Sequence, residues 1–158
     1  MIGKSTAYTT NSPGQTKKLA ELLAKEILEA PKRKGAFVLA LRGDLGGGKT
    51  TFLQGFAKGL KIKQKITSPT FVLMKKYKIP NTRYKIQNFY HLDCYRIEKS
   101  KDILDLGLKE IISNPQNIAA VEWAEKISKV LPKNVIWLSF EFIGKNSRKI
   151  LVSPKLKV

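Results

Sequence analysis

Cysteine is nearly absent from this sequence, and long apolar runs are missing altogether. Its 158 residues contain one cysteine, Cys94, which excludes an intramolecular disulfide and fits a reducing compartment. No apolar run approaches the ~18 residues of a membrane span, and the first residues lack the apolar region of a signal peptide. We therefore expect a cytoplasmic protein with no membrane segment.

Acidic residues are also scarce. Twelve aspartates and glutamates face 30 lysines and arginines, which gives a net charge of +18. Such an excess indicates either a nucleic-acid surface or a lysine-rich surface that is merely solvated. Lysine supplies 25 of the 30 basic residues, whereas arginine is favoured for bidentate contacts to phosphates and bases. No helix-turn-helix, zinc-finger or RNP-type motif accompanies the charge, so both interpretations stay open.

The most informative segment that is present lies at residues 43–50, which read GDLGGGKT. This is the phosphate-binding pattern G-x-x-x-x-G-K-T, whose four fixed positions occur by chance at roughly one site in 20,000. The glycines let backbone N–H groups converge on phosphate oxygens. Lys49 then reaches the outer phosphates, and the Thr50 hydroxyl can bind magnesium. The segment therefore predicts a site for a nucleoside triphosphate with Mg²⁺.

The segments on either side of this loop suit the same site. Residues 36–41 form an apolar run of strand length, and Phe52, Phe56 and Leu60 recur at helical spacing after the loop. A strand, a glycine loop and a helix in this order place a helix N-terminus at the phosphates. The alternative is a glycine turn that only joins a strand to a helix.

Further elements follow from capping and turn signals. Residues 7–10 predict a first strand. Ser12 and Gln15 form a capping box at the start of a helix that Pro31 ends. The apolar face of this helix is predicted to carry Leu19, Leu22, Leu23 and Ile27.

The remaining chain predicts mostly strands. Residues 71–79 and 84–92 read as a β-hairpin around a turn at 80–83, which makes the sheet mixed. Three further elements are a short helix capped by Asp102 that carries Ile103, Leu104 and Leu106, a buried strand at 118–121, and a closing antiparallel pair at 135–140 and 148–152. The expected fold is α/β: one P-loop NTPase-like domain over residues 1–158, with a central mixed parallel/antiparallel sheet flanked by helices.

Two acidic residues are candidates for the magnesium site. Asp93 and Glu122 each end an apolar run, and a P-loop enzyme needs an acid at a strand end beside the loop. The alternative for each is a surface acid at a strand terminus. Which of the two touches the metal is left open at this point.

Several other side chains have two interpretations. Ser68 and Thr70 lie in a proline-containing loop, where a hydroxyl can sense the outer phosphate and magnesium or can stabilise a turn. His91 could act as a general base or orient water, but a hydrogen-bonded structural role is favoured. We expect Cys94 to pack in the interior, Trp123 to lie partly buried near the nucleotide, and Trp137 to belong to the core.

Five motifs together resemble a known family. They are GDLGGGKTT at 43–51, SPTF at 68–71, HLDCYR at 91–96, DLGL at 105–108 and VEWAE at 121–125. In this order and spacing they are similar to the TsaE (YjeE) family, small ATPases of bacterial tRNA threonylcarbamoyladenosine synthesis. The resemblance spans roughly residues 5–145.

The resemblance implies a function. Members of the family bind ATP and Mg²⁺ and hydrolyse ATP slowly by themselves. They act with TsaB and TsaD, which complete the threonylcarbamoyl modification of the tRNA adenosine beside the anticodon, and ATP turnover is thought to reset the complex. Whether this chain contacts tRNA directly is left open.

The resemblance also assigns residues. Nucleotide binding is implied for Asp44, Leu45, Gly46, Gly47, Gly48, Lys49, Thr50, Thr51 and Trp123. Metal binding is implied for Thr50, Asp93 and Glu122, catalysis for Lys49, Asp93 and Glu122, and a switch-like loop for Ser68 and Thr70.

Two other functions compete with this one. A small-molecule or nucleotide kinase of this fold usually carries an arginine-rich lid, and the five arginines are not clustered, so a lid is hard to place. The other is a basic nucleic-acid-binding module with a degenerate nucleotide site. With no catalytic arginine evident near the loop motif, we expect slow turnover by the isolated protein.

Overall fold

Seven strands form one sheet in the order β1-β7-β6-β2-β5-β4-β3. The structure, a computed structural model, describes residues 5–31, 33–44, 46, 48–67, 73–80 and 84–154. The strands are β1 (Thr6–Thr10), β2 (Phe37–Arg42), β3 (Met74–Lys78), β4 (Asn88–Asp93), β5 (Asn117–Glu122), β6 (Ile136–Phe142) and β7 (Arg148–Ser153). The helices are α1 (Pro13–Glu29), α2 (Lys49–Gly59), α3 (Ser100–Asp105), α4 (Leu108–Ser113) and a 3₁₀ segment (Ala124–Val130).

The central strands run parallel and the outer ones do not. Strands β6, β2, β5 and β4 are parallel neighbours, whereas β1, β7 and β3 each pair antiparallel. The predicted mixed sheet is therefore confirmed. Strand β2 lies between two parallel partners, and parallel strands covered on both faces are continuously apolar. Residues 37–41 are accordingly all buried.

Two hydrophobic layers cover the two faces of β2. Because side chains alternate along a strand, Phe37, Leu39 and Leu41 face one layer while Val38 and Ala40 face the other. The first layer contains α1 and α2, and the second contains α3, α4 and the 3₁₀ segment. Among the described helices, none is long and apolar enough to cross a membrane.

The start of α1 follows its sequence signal. The Ser12 hydroxyl accepts a hydrogen bond from the Gln15 backbone N–H at 3.1 Å. The Gln15 side chain accepts one from the Asn11 N–H at 2.7 Å, one residue earlier than in a standard capping box. The predicted strands at 7–10, 36–41 and 118–121 and the closing antiparallel pair are also confirmed.

Four details of the prediction are wrong. Leu22 of α1 is 49% exposed, because α2 packs instead against the side that carries Ala20 and Ala24. Asp102 lies in the first turn of α3 rather than capping it, since the N-cap is Lys99. Leu106 is the C-cap of α3 rather than one of its helical residues. Trp137, which was expected to belong to the core, is only partly buried.

The hairpin and the second layer also depart from the prediction. Strands β3 and β4 do pair antiparallel, but they begin at Met74 and Asn88, and residues 71–72 and 81–83 lie outside the described part of the chain. Helix α4 and the 3₁₀ segment have no counterpart in the prediction. Both are short, so neither shows enough turns for a helical period to be recognised.

Close contact between α1 and α2 depends on two glycines. A Cβ at Gly55 would lie 2.3 Å from the Lys17 carbonyl oxygen, and one at Gly59 would lie 2.7 Å from the Ala24 Cβ. Glycine at these positions lets the two backbones approach each other, and α1 in turn holds the helix that follows the phosphate loop.

We expect Gly55→Ala to lower the free energy of unfolding by about 1–3 kcal/mol, because the added methyl group forces α1 away from α2. The matched control is Gly14→Ala, whose Cβ has no neighbour closer than 3.8 Å. That change should be neutral or should stabilise by about 0.5 kcal/mol through helix propensity. Urea unfolding measures both variants, and equal midpoints would contradict the steric argument.

Candidate functional site

The phosphate loop lies at the carboxyl end of β2, between β2 and α2. Gly43 has φ +142°, and a Cβ there would lie 2.6 Å from the Phe140 carbonyl oxygen of the neighbouring strand. Gly48 has φ +97° and is the N-cap of α2, where no side chain caps the helix. A helix start without a side-chain cap leaves backbone N–H groups available to an anion.

Lys49 is almost completely buried at this helix start. Its ammonium donates hydrogen bonds to the carbonyls of Gly43 and Asp44, the second at 3.1 Å, and lies 4.3 Å from the centroid of the Trp123 ring. Burial lowers the pKa of the Lys49 ammonium, and nearby carboxylates oppose that shift. Those carboxylates belong to Glu122, Glu125, Asp93 and Asp44.

Glu122 connects the loop helix to the sheet. Its Oε1 accepts a hydrogen bond from the Thr50 hydroxyl at 3.4 Å, and its Oε2 lies 2.7 Å from His91 Nε2. Both Glu122 and His91 are buried, at 3% and 0% exposure. A buried carboxylate needs such partners, and an ionised Glu122 requires the His91 tautomer with hydrogen on Nε2. This matches the hydrogen-bonded role favoured for His91.

Asp93 lies next to Glu122 because their strands are parallel and the two residues are in register. It is 6% exposed, and its Oδ1 accepts the Tyr95 backbone N–H at 2.9 Å. This bond forms an Asx turn at the end of β4 and fixes the direction of the carboxylate. Two carboxylates and the Thr50 hydroxyl therefore lie close together at the carboxyl ends of the parallel strands.

Trp123 occupies an unusual backbone conformation directly after β5. Its φ of 58° is in the left-handed region, which costs free energy for a bulky residue and often marks a functional site. The ring lies beneath Lys49, and its centroid is 5.2 Å from that of Tyr95. Trp123 is therefore partly buried near the loop, as expected.

Arg148 is a site residue that the sequence reasoning missed. It starts β7, and its Nη2 donates to the Gly46 carbonyl at 3.4 Å. Its guanidinium lies 4.0 Å from the centroid of the Phe142 ring, and its buried Nε has no hydrogen-bond partner among the described residues. An arginine therefore does lie beside the loop, contrary to expectation. Its position follows from the order β7-β6-β2, which no local sequence signal reveals.

A small cavity of about 50 Å³ separates Arg148 from the start of α2. Its lining includes Thr51 and Gly48 from the loop side, Thr16 from α1 and Asn146 from the β6–β7 turn. These side chains supply hydroxyl, amide and guanidinium groups next to the phosphate loop. The cavity is therefore suited to a polar part of a ligand whose phosphates occupy the loop.

The oxygen donors of the site suit Mg²⁺. Magnesium is usually held by one or two carboxylates together with substrate phosphates and water. Thr50, Glu122 and Asp93 provide a hydroxyl and two carboxylates of this kind. No cluster of three or more histidine, cysteine, aspartate or glutamate side chains forms a complete metal site within the described chain. The donor set therefore fits a magnesium ion that enters with a nucleotide.

The structure brings together most of the predicted site residues. Asp44, Gly46, Gly48, Lys49, Thr50, Thr51, Asp93, Glu122 and Trp123 all lie around the loop. Leu45, Gly47, Ser68 and Thr70 lie outside the described residues, so their assignments stay predictions. Cys94 is fully buried, as expected for packing.

Comparisons with known proteins identify relatives along most of the chain. Residues 10–150 match the family described as "Threonylcarbamoyl adenosine biosynthesis protein TsaE". A Bacillus subtilis (strain 168) protein named "tRNA threonylcarbamoyladenosine biosynthesis protein TsaE" is 37% identical over 147 residues, covering 93% of this chain and 84% of that protein. A Treponema pallidum protein of the same name is 34% identical, covering 73% of this chain and 81% of its own.

A solved structure supports the same relationship. The crystal structure of Bacillus subtilis YdiB superimposes with a TM-score of 0.75 and 33% sequence identity. The similarity covers 98% of this chain and 87% of that one. The fold is therefore shared along nearly the whole sequence.

We expect Cys94 to be unreactive in the native protein. Burial, reinforced by the nearby charge of Asp93, raises the pKa of its thiol to about 12. At about pH 8 only roughly one thiol in ten thousand is then ionised, and the thiolate is the reactive form. Reaction with a chromogenic disulfide reagent should be at least about 100-fold slower than in guanidinium chloride. Similar rates in both states would contradict the burial of Cys94.

Proposed function

This chain belongs to the TsaE family, and from that premise we propose that it is an ATP-binding and ATP-hydrolysing protein of tRNA threonylcarbamoyladenosine biosynthesis. It is required for modification of the tRNA adenosine next to the anticodon, and it acts with TsaB and TsaD. Residues 1–158 form one P-loop ATPase domain. The observation that carries this proposal is the arrangement of Thr50, Glu122 and His91 beside the buried Lys49.

The loop binds the phosphates of ATP. Backbone N–H groups at the start of α2 face the phosphate oxygens, and the Lys49 ammonium exchanges its bonds to the Gly43 and Asp44 carbonyls for bonds to the outer phosphates. Thr51 lies beside the α-phosphate, next to the cavity that Arg148 lines. Trp123 supports the ammonium from the opposite side.

Thr50 and Glu122 would hold Mg²⁺, with the Asp93 carboxylate beside them. When bound, the ion neutralises charge that develops on the phosphate oxygens during hydrolysis. The Glu122 oxygen that faces Thr50 is Oε1, because Oε2 is occupied by His91. His91 is therefore a positioning residue that fixes the carboxylate. Asp93, anchored by Tyr95, orients the attacking water.

The kinase alternative gains no support from the placement of arginines. Arg33 donates to the Asn134 carbonyl, Arg42 lies over Trp137, and Arg148 contacts the loop. Among the described residues these three do not form a shared lid. Slow turnover by the isolated protein, with stimulation by a partner that completes the site, stays a prediction.

Phosphate release from ATP tests the function. The purified protein should hydrolyse ATP slowly with Mg²⁺, and addition of TsaB and TsaD should stimulate the hydrolysis markedly.

Asp93→Asn should keep the fold and ATP binding but lose most of the stimulated rate, because the attacking water is no longer oriented. The matched control is Glu110→Gln, which removes one exposed carboxylate from α4 and should leave the rate unchanged. Transfer of phosphate to an acceptor instead of water would favour a kinase.

Arg148 gives a separate prediction for binding. Arg148→Ala should weaken ATP binding about 10–100-fold, because a charge-assisted hydrogen bond contributes about 1.5–3 kcal/mol. Arg148→Lys should recover part of this affinity. The neighbouring exposed Lys149→Ala changes the charge equally and should leave affinity unchanged. Titration of a fluorescent ATP analogue measures all three, and wild-type affinity in Arg148→Ala would exclude Arg148 from the site.

A further inference from the structure

Basic and acidic residues are separated along this chain. No aspartate or glutamate occurs between Asp44 and Asp93, whereas the same stretch contains nine lysines and one arginine. Only Lys49 of these belongs to the phosphate loop. Asp44 and Asp93, at the two ends of the stretch, belong to the candidate nucleotide site. The other lysines between them therefore need an explanation other than nucleotide binding.

Six of these lysines lie on the last strand of the sheet or on the segment that leads to it from α2, and along the strand Lys76 and Lys78 face the side opposite to Lys75. We name this surface the lysine edge, and it consists of Lys61, Lys63, Lys65, Lys75, Lys76 and Lys78. The first three lie between α2 and β3, and the others lie on β3, the last strand of the sheet. Lys75 Nζ donates to the Thr67 hydroxyl at 3.0 Å, and this bond ties the two parts together.

The charge of the lysine edge is not neutralised within the described chain. Five of its lysines are exposed and Lys75 is partly buried, and none of the six forms an ion pair with a described carboxylate. By contrast, Lys58, one turn before this surface, is 3.3 Å from Glu21. Lysines on an edge strand can simply prevent aggregation, but that role does not explain the three in the preceding loop.

We propose that the lysine edge binds the phosphate backbone of RNA, and that the RNA is the tRNA substrate of the pathway assigned above. The identity of the RNA rests on the proposed function, whereas the phosphate chemistry rests on the charges themselves. Lysine is a flexible point charge that neutralises phosphates without reading bases. An interface with a folded acidic protein normally includes charges of both signs that fix its register, and the lysine edge contains none of the opposite sign.

The lysine edge begins next to the nucleotide site. The Leu73 carbonyl accepts the Asp93 backbone N–H at 3.0 Å, and Met74 lies opposite Leu92. RNA bound along β3 therefore borders the carboxylate assigned to hydrolysis. The RNA contact uses residues separate from the phosphate loop, so RNA and ATP do not compete for the same side chains.

Fluorescence anisotropy of a labelled tRNA transcript, measured with the full chain across a series of salt concentrations, tests the proposal. The variant replaces Lys63, Lys65, Lys76 and Lys78 with glutamine. The control replaces Lys25, Lys101, Lys109 and Lys129, which are exposed on α1, α3, α4 and the 3₁₀ segment. Both variants lose four positive charges. Any difference in tRNA binding between them therefore depends on where the replaced lysines lie and not on the net charge.

The wild type should bind tRNA with a steep salt dependence. Removal of four phosphate contacts should make the slope of log K against log salt shallower by about three and weaken binding at about 100 mM salt at least tenfold. The control should stay within about twofold of the wild type. Equal losses in both variants, or no wild-type binding at that salt, would overturn the proposal. Stronger binding of labelled polyglutamate than of tRNA would assign the surface to an acidic protein instead.

ATP hydrolysis measured on the same proteins separates this inference from the proposed function. The lysine-edge variant should retain the wild-type intrinsic rate within about twofold, because none of its four lysines touches the nucleotide site. Loss of tRNA binding with normal hydrolysis supports the lysine edge. An inactive wild type that still binds tRNA through these lysines would refute the ATPase while leaving the RNA surface intact.

Discussion

The buried carboxylate of Glu122 is the group on which the site depends. It joins three elements, because it ends β5, contacts Thr50 at the start of α2 and contacts His91 in β4. An unpartnered charge at 3% exposure would be strongly unfavourable, so these contacts are needed for the fold as well as for the chemistry. Glu122 therefore links the helix that follows the loop to the parallel strands and places its carboxylate beside the Thr50 hydroxyl.

This arrangement is possible because β2 lies among the four parallel strands at the centre of the mixed sheet. The carboxyl ends of β2, β5 and β4 meet at the same edge, which brings the phosphate loop to Glu122 and Asp93. On the other side of α2, glycines at 55 and 59 allow α1 to approach closely and hold the helix against the sheet. The geometry of the site thus extends through the packing of both helices.

The positions of the candidate site residues were predictable where local signals determine them. The glycine loop, Lys49 and the two strand-end acids could be found because each follows a short apolar run. Arg148 could not, since its contact with Gly46 depends on which strands neighbour β2. The prediction that Leu22 belongs to the buried face of α1 failed for a related reason. Helix α1 buries small residues against α2, and the spacing of its large apolar residues does not reveal which face is buried. Ser68 and Thr70 stay predictions.

The scarcity of acids connects the site to the rest of the surface. Four of the twelve acidic residues act on Lys49, where their charges oppose the effect of burial on its pKa. Acids are concentrated there, whereas the stretch between Asp44 and Asp93 contains only basic charges, so a compact mixed-charge site lies beside a strand edge that carries lysines. The first arrangement suits a metal with a nucleotide, because cations and carboxylates must be balanced at short range. The second suits a long polyanion, because its phosphates are bound one by one through displaced counterions. A nucleotide with its metal and a long polyanion therefore require different charge distributions. In this chain the two charge distributions lie at separate places.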